Sequence, residues 1–134
     1  MELISLTEEQ VEYINDQLEM YNREYIKYHL DGGVHIGMEL DGILVGGLNA
    51  YMSAFHILYV DTMFVAEQYR RQGIGRKIMA EMEHQAKELG VNLIRLDTFD
   101  WQGYEFYKSL DYEEVGHYFN EADGFHEYFF IKCI

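Results

Sequence analysis

The chain has 134 residues, 49% of them apolar and 16% aromatic, with a formal net charge of −14 at pH 7. That length suits one domain with a single core, and that composition excludes a disordered chain. Such acidity argues against nucleic acid or an anionic membrane as partner, because both require a positive footprint, and it suits a cationic acceptor such as an amine.

Leu3-Ile4-Ser5-Leu6 is expected to form a short first strand. Thr7 with Gln10 three residues on reads as a capping box, and Val11, Ile14, Leu18, Tyr21, Tyr25 and Tyr28 then recur three and four apart. That is one apolar helix face, expected to pack on the core and to end at Asp31-Gly32-Gly33. Residues 34–40, the pair Asp41-Gly42 and residues 43–52 read as a β-hairpin with a primed turn, and Gly46-Gly47 within it marks a bulge or a close backbone approach. Residues 56–66 form a long apolar strand interrupted by Asp61. The helix that follows places Ile78, Met79, Met82, Ala86 and Leu89 on one side and is closed by Gly90. Residues 91–99 are the next strand, so the strand–helix–strand order implies a right-handed parallel crossover. A short helix over 102–110 and a closing hairpin of 112–119 with 125–134 complete a single domain over residues 1–134. The run Tyr128-Phe129-Phe130-Ile131 is more apolar than a half-exposed strand requires and points to a homodimer contact. No apolar run has the length of a membrane span, the N-terminus lacks a basic stretch, and a lone Cys133 rules out an internal disulfide. A cytoplasmic location is the resulting expectation.

The junction after the long strand carries the chemistry. Met63-Phe64-Val65-Ala66 leads into a charged turn, then Gly73-Ile74-Gly75, then the helix from Arg76. A strand, a glycine turn and a helix start present free backbone N–H groups to an anion. Arg70, Arg71, Arg76 and Lys77 lie within eight positions that contain no acid, which makes physical sense if a phosphate binds there. Neither G-x-x-x-x-G-K-[ST] nor G-x-G-x-x-G is present, so a plain nucleotide-binding domain is disfavoured. Asp61 in an apolar strand costs several kcal/mol if buried and unpaired. Counting by two, it is expected on the same side of the sheet as Met63. No spacing of metal ligands such as H-x-x-x-H occurs.

Arg70-Arg71-Gln72-Gly73-Ile74-Gly75 resembles the acetyl-CoA signature Q/R-x-x-G-x-G/A of the GNAT superfamily of N-acetyltransferases. Phe106-Tyr107-Lys108-Ser109-Leu110 falls where that family often carries N-x-x-A-x-x-L/F-Y-x-x-x-G-F. Asp100 stands at its Asn, Gly103 at its Ala, and Asp111-Tyr112 at its Gly-Phe. The resemblance covers roughly half the chain and implies an α+β fold: a central, mostly antiparallel mixed sheet with one splayed parallel pair and helices on both faces. It also implies acetyl-CoA (coenzyme A) as cofactor. Pantetheine would pair with the backbone of Met63, Phe64 and Val65. The pyrophosphate would rest on the N–H groups from Arg71 through Gln72, Gly73, Ile74 and Gly75 to Arg76, with charge from Arg70, Arg71 and Arg76. The implied reaction is direct acetyl transfer to a primary amine of a small molecule or peptide. A backbone N–H near Met63 or Phe64 would stabilise the oxyanion, Tyr107 would protonate the departing sulfur, and Asp61, or else Glu67, would act as base. Two alternatives belong to the same fold: an acyl-CoA-binding module without turnover, and an enzyme acting on aminoacyl-tRNA, which a chain this acidic disfavours.

Overall fold

The computed structural model describes every residue except His29. Its elements are α1 (Glu8–Asn22), β1 (Gly33–Leu40), β2 (Ile43–Met52), β3 (Ile57–Val65), α2 (Ile74–Leu89), β4 (Leu93–Phe99), α3 (Tyr104–Ser109), β5 (Glu113–Asn120) and β6 (Phe125–Cys133), with a 3₁₀ turn at Glu67–Tyr69. The strands form one mixed sheet in the order β1-β2-β3-β4-β6-β5, in which β3 and β4 are parallel and every other pairing is antiparallel. This is the expected α+β architecture.

Local signals act where the sequence places them. Asp41 (φ 52°) and Gly42 (φ 80°) both take positive φ, the geometry of a primed hairpin turn. Gly46 meets the opposite strand closely: an added Cβ would lie 3.0 Å from the Phe64 carbonyl oxygen. Gly90 ends α2 in the left-handed conformation, its N–H reaching the carbonyls of Ala86 and Lys87. Asp111, where the resembled motif has glycine, likewise adopts φ 67°.

The core lies on one face of the sheet. Ile78, Met79, Met82 and Ala86 of α2 and Tyr107 of α3 pack with Leu58 and Val60 of β3, Ile94 and Leu96 of β4 and Phe130 of β6. Beneath them, Lys132 of β6 donates to both carboxylate oxygens of Glu83 on α2, at 3.0 and 3.3 Å, and to the Leu110 carbonyl at 2.9 Å. The Tyr112 hydroxyl donates to the same carboxylate at 3.0 Å. One ion pair thereby ties α2, the end of α3 and β6 together.

The N-terminal region departs from expectation. Residues 1–7 form no strand, and Leu3 and Ile4 are exposed. α1 keeps its capping box, with Gln10 N–H donating to Thr7 Oγ1 at 3.2 Å and Thr7 N–H to Gln10 Oε1 at 2.9 Å. It ends at Asn22 rather than continuing to Tyr28, and it buries none of its residues. An apolar stripe states that a helix has a face to bury; it does not supply the surface to bury it on. Among the described residues no helix therefore covers the sheet face opposite α2 and α3, where the resemblance implied helices on both faces.

Lys132→Met is expected to lower the unfolding free energy by about 1–2 kcal/mol, because the pair is only partly shielded and the Tyr112 hydroxyl remains to Glu83. Urea titration checks this, and an unchanged midpoint would mean that the pair is solvated.

Candidate functional site

Parallel pairing between β3 and β4 covers only Ile57 with Leu93, Leu58 with Ile94 and Tyr59 with Arg95. β4 then stays with β6 along its whole length. β3 leaves because of an extra residue: Asn49 of β2 faces Thr62 and Ala50 faces Val60, so Asp61 has no partner opposite it. A bulge of this kind bends its strand and raises the local twist. The outcome is a cleft between the second halves of β3 and β4, leading from the sheet to the start of α2.

That start is unprotected. Arg71 (φ 62°) and Gly73 (φ 81°) take left-handed conformations, and Gly73 caps α2 with no side chain bonded to the first N–H groups and no acid in the first turn. Gly75 is needed for a different reason. A Cβ there would lie 3.1 Å from the Phe106 ring and 3.2 Å from the Met63 methyl, so its absence lets α2 seat directly on α3 and β3. Two of the basic side chains are held in place. Arg70 Nε donates to the Val65 carbonyl at 2.8 Å, with its guanidinium 5.7 Å from the Phe64 ring centre. Arg76 donates to Ser109 Oγ at 3.3 Å, while Ser109 donates to the Phe106 carbonyl at 2.6 Å. Gln72 is turned back to the Gln68 carbonyl at 3.4 Å. Arg71 has no side-chain partner among the described residues.

Tyr107 projects from α3 into the core and is packed by the rings of Phe106, Tyr112 and Phe130. Its hydroxyl bonds to no described residue, yet among the described residues only His126 Nδ1 is a buried side-chain polar atom without a partner. The Tyr107 hydroxyl therefore reaches solvent. Burial, and then the charge of Asp97, push its pKa up to about 12. Asp97 lies on β4 beyond the point of divergence and accepts a hydrogen bond from the Tyr59 hydroxyl at 2.8 Å. Burial, that hydrogen bond and the same charge push Tyr59 up to about 12 as well. Arg95 stacks 4.6 Å over the Tyr59 ring. Tyr59 and Asp97 thus bridge the two strands just where backbone pairing stops. The reading of the sequence missed both, although Asp97 interrupts an apolar strand as Asp61 does.

Asp61 is not the desolvated carboxylate expected from its apolar neighbours. It is exposed, and Thr62 Oγ1 donates to it at 3.3 Å. The bulge also breaks the count by two: Met63 faces Leu48 and the core, whereas Asp61 lies on the bulge beside the open face, where its charge is felt by Tyr59. Asp100 serves the fold: its carboxylate accepts the His126 N–H at 2.9 Å, and its own N–H donates to the His126 carbonyl at 3.1 Å. A shallow groove of about 570 Å³ on the open face runs past His35, Asn49 and Phe64 to Thr62, the neighbour of Asp61. No cluster suited to a metal ion occurs among the described residues, and none of their helices is long and apolar enough to cross a membrane.

Residues 2–112 match the model of the acetyltransferase (GNAT) family. A Bos taurus thialysine N-epsilon-acetyltransferase is 32% identical over 71 residues, which is 52% of this chain and 39% of that protein. The match thus spans about two fifths of that relative's length. The crystal structure of an acetyltransferase from Bacillus cereus superposes with a TM-score of 0.93 at 30% identity, covering 100% of this chain and 98% of that one. An aminoglycoside 6′-N-acetyltransferase complexed with coenzyme A superposes with a TM-score of 0.68 at 19% identity, covering 98% and 97%, a likeness of fold alone.

Raised phenol pKa values in the folded state carry a stability signature. The unfolded phenols titrate near 10 and the folded Tyr107 near 12, so the associated stability is present below pH 10 and is lost as pH rises toward 12. Tyr107→Phe is expected to show a shallower decline of the urea midpoint over that window than the parent chain, and an identical decline would deny Tyr107 its raised pKa.

Proposed function

Because this chain belongs to the acetyltransferase (GNAT) family, we propose that it transfers the acetyl group of acetyl-CoA directly to a primary amine of a small molecule or peptide. The observation that carries the reading is the cleft between diverging parallel strands, ending on a helix start with no cap and no acid. These features fit the coenzyme: free N–H groups and cations at one end, unpaired strand backbone in the middle, a phenol at the other side. Coenzyme A, when bound, supplies an activated acyl thioester and a thiol leaving group.

In this reading the N–H groups of Gly73, Ile74, Gly75 and Arg76 hold the pyrophosphate. Arg71, having no partner, closes on it, while Arg70 and Arg76 contribute fixed charge from anchored positions. Met63 presents its backbone toward the cleft and supplies the oxyanion donor, whereas the Phe64 carbonyl turns to Gly46 on β2. The Val65 carbonyl is already engaged by Arg70 and contributes less than its neighbours.

Tyr107 serves the leaving sulfur. Complete proton transfer from a phenol near 12 to a thiol near 8.5 is uphill by about 5 kcal/mol, so Tyr107 acts chiefly by donating a hydrogen bond as negative charge builds on sulfur. Its raised pKa keeps that donor largely protonated through about pH 10–11, where a primary amine becomes appreciably free. Asp61, weakly held and exposed, takes the amine proton directly or through water. The corresponding oxygen of Asp97 is occupied by Tyr59. Carboxylates at the mouth and a net charge of −14 favour an acceptor that carries its amine as a cation on a short flexible chain. The name of the thialysine acetyltransferase relative supports the same class. The exposure of Asp61 favours one alternative, a coenzyme-binding module without turnover.

Thiol release from acetyl-CoA, assayed across monoamines, diamines and lysine analogues, separates the two. Turnover with a cationic amine is expected, and saturable coenzyme binding with no release for any amine would favour the module. Tyr107→Phe is expected to lower kcat about 100-fold with unchanged calorimetric affinity for coenzyme A, and Asp61→Asn to lower kcat/KM for the amine comparably. Gly73→Val, which forces a β-branched residue to φ 81°, is expected to abolish coenzyme binding. No saturable heat with the parent chain would overturn the proposal.

A further inference from the structure

The N-terminal arm is the least satisfied part of the molecule. Val11, Ile14, Leu18, Tyr21 and Tyr25 form one stripe, and each is 42–63% exposed. Leu3, Ile4 and Leu6, a run of strand-forming residues, pair with nothing. Among the described residues, the chain meets the body at Tyr28, whose ring lies 5.1 Å from His56, and at Leu30, packed against the core. A hollow of about 500 Å³ lies between Leu18, Asn22 and Ile26 and the residues Ser53 and Ala54, so the arm meets its own body loosely there.

The sheet has the complementary deficit. Its open face presents Tyr51, Tyr118 and Phe129, each more than a third exposed, and no helix covers them. The whole surface shows the same imbalance. The chain exposes 9737 Å², whereas a compact monomer of 15.9 kDa exposes about 7,400 Å². The excess of about 2,300 Å² per chain, about 4,700 Å² for two chains, lies within the roughly 2,000–5,000 Å² in total that obligate homodimers bury over both partners.

We propose that this protein is a homodimer in which the arm of each protomer, residues 1–26, lies across the open sheet face of its partner. The occupant is a second copy because one chain carries both surfaces, and a two-fold exchange satisfies both at once. Each protomer carries −14, so the contact forms against like-charge repulsion and tightens as salt screens it.

Sedimentation or light scattering of the full chain at 50 µM is expected to give twice 15.9 kDa, with the dimer dissociating at lower concentration in 300 mM salt than in 20 mM. A monomer at both salts would overturn the proposal. Ile14→Glu with Leu18→Glu is expected to yield monomer with unchanged circular dichroism, since neither side chain is buried in the protomer; a dimer that survives both changes would overturn it too. Location is read by cross-linking Leu18→Cys/Cys133→Ser mixed with the parent chain, whose Cys133 is exposed on β6. A bismaleimide product joining the two chains supports exchange. A product formed by the variant alone would show arm-to-arm packing, and an intramolecular product in a chain carrying Leu18→Cys and Cys133 would show the arm on its own sheet. Either would overturn the assignment.

Discussion

β3 and β4 share a sheet for three residues and then separate, and the separation governs everything built around it. Backbone groups in the middle of a sheet normally satisfy each other, and each one left unpaired and dry costs about 1–3 kcal/mol. The divergence is tolerable only if water or a ligand enters the gap. The protein holds it open by local means: a bulge at Asp61 on one strand, unbroken pairing with β6 on the other, and the Tyr59–Asp97 hydrogen bond where the two part. The cleft is therefore a property of the fold before any ligand arrives.

The same junction fixes the helices. Met63 from β3, Gly75 from α2 and Phe106 from α3 meet within van der Waals contact, and any side chain at Gly75 would push them apart. Further along α2, Glu83 is bound to Lys132 and Tyr112. The first turn of α2 is thus pinned on one side by packing and further down by charge, while its N–H groups remain uncommitted. Rigid placement of uncommitted donors is what lets an anion bind without reorganisation cost.

Charge is distributed with the same division of labour. Arg70, Arg71, Arg76 and Lys77 gather at the helix start of a chain that is otherwise acidic, and Asp61 and Asp97 stand at the rim of the cleft. In the proposed reaction a polyanionic cofactor and a cationic acceptor would be drawn to different parts of one small surface, which would keep the two from competing for the same ground.

The elements themselves were legible in the residues. The capping box at Thr7, the Asp41-Gly42 turn, the amphipathic stripe of α2 as far as Ala86 and the Gly90 stop are all local chemistry, decided within a few residues, and each appears where it was read, although Leu89 at the end of that stripe is exposed. The glycine loop and the α3 motif identified the family for the same reason. Local signals could not show that Asp61 sits on a bulge, because a bulge is a mismatch between two strands and period-two counting on one of them is blind to it. They could not show that Asp97 faces Tyr59 from 38 residues away, or that burial raises Tyr107 to about 12. Nor could an apolar stripe reveal that α1 has no surface of its own chain to cover. The sequence alone determined which segments become helix or strand and where an anion is welcome, since those depend on neighbours along the chain. Only the tertiary structure decided which side chains meet, which are desolvated and which apolar face stays open, because those depend on neighbours in space.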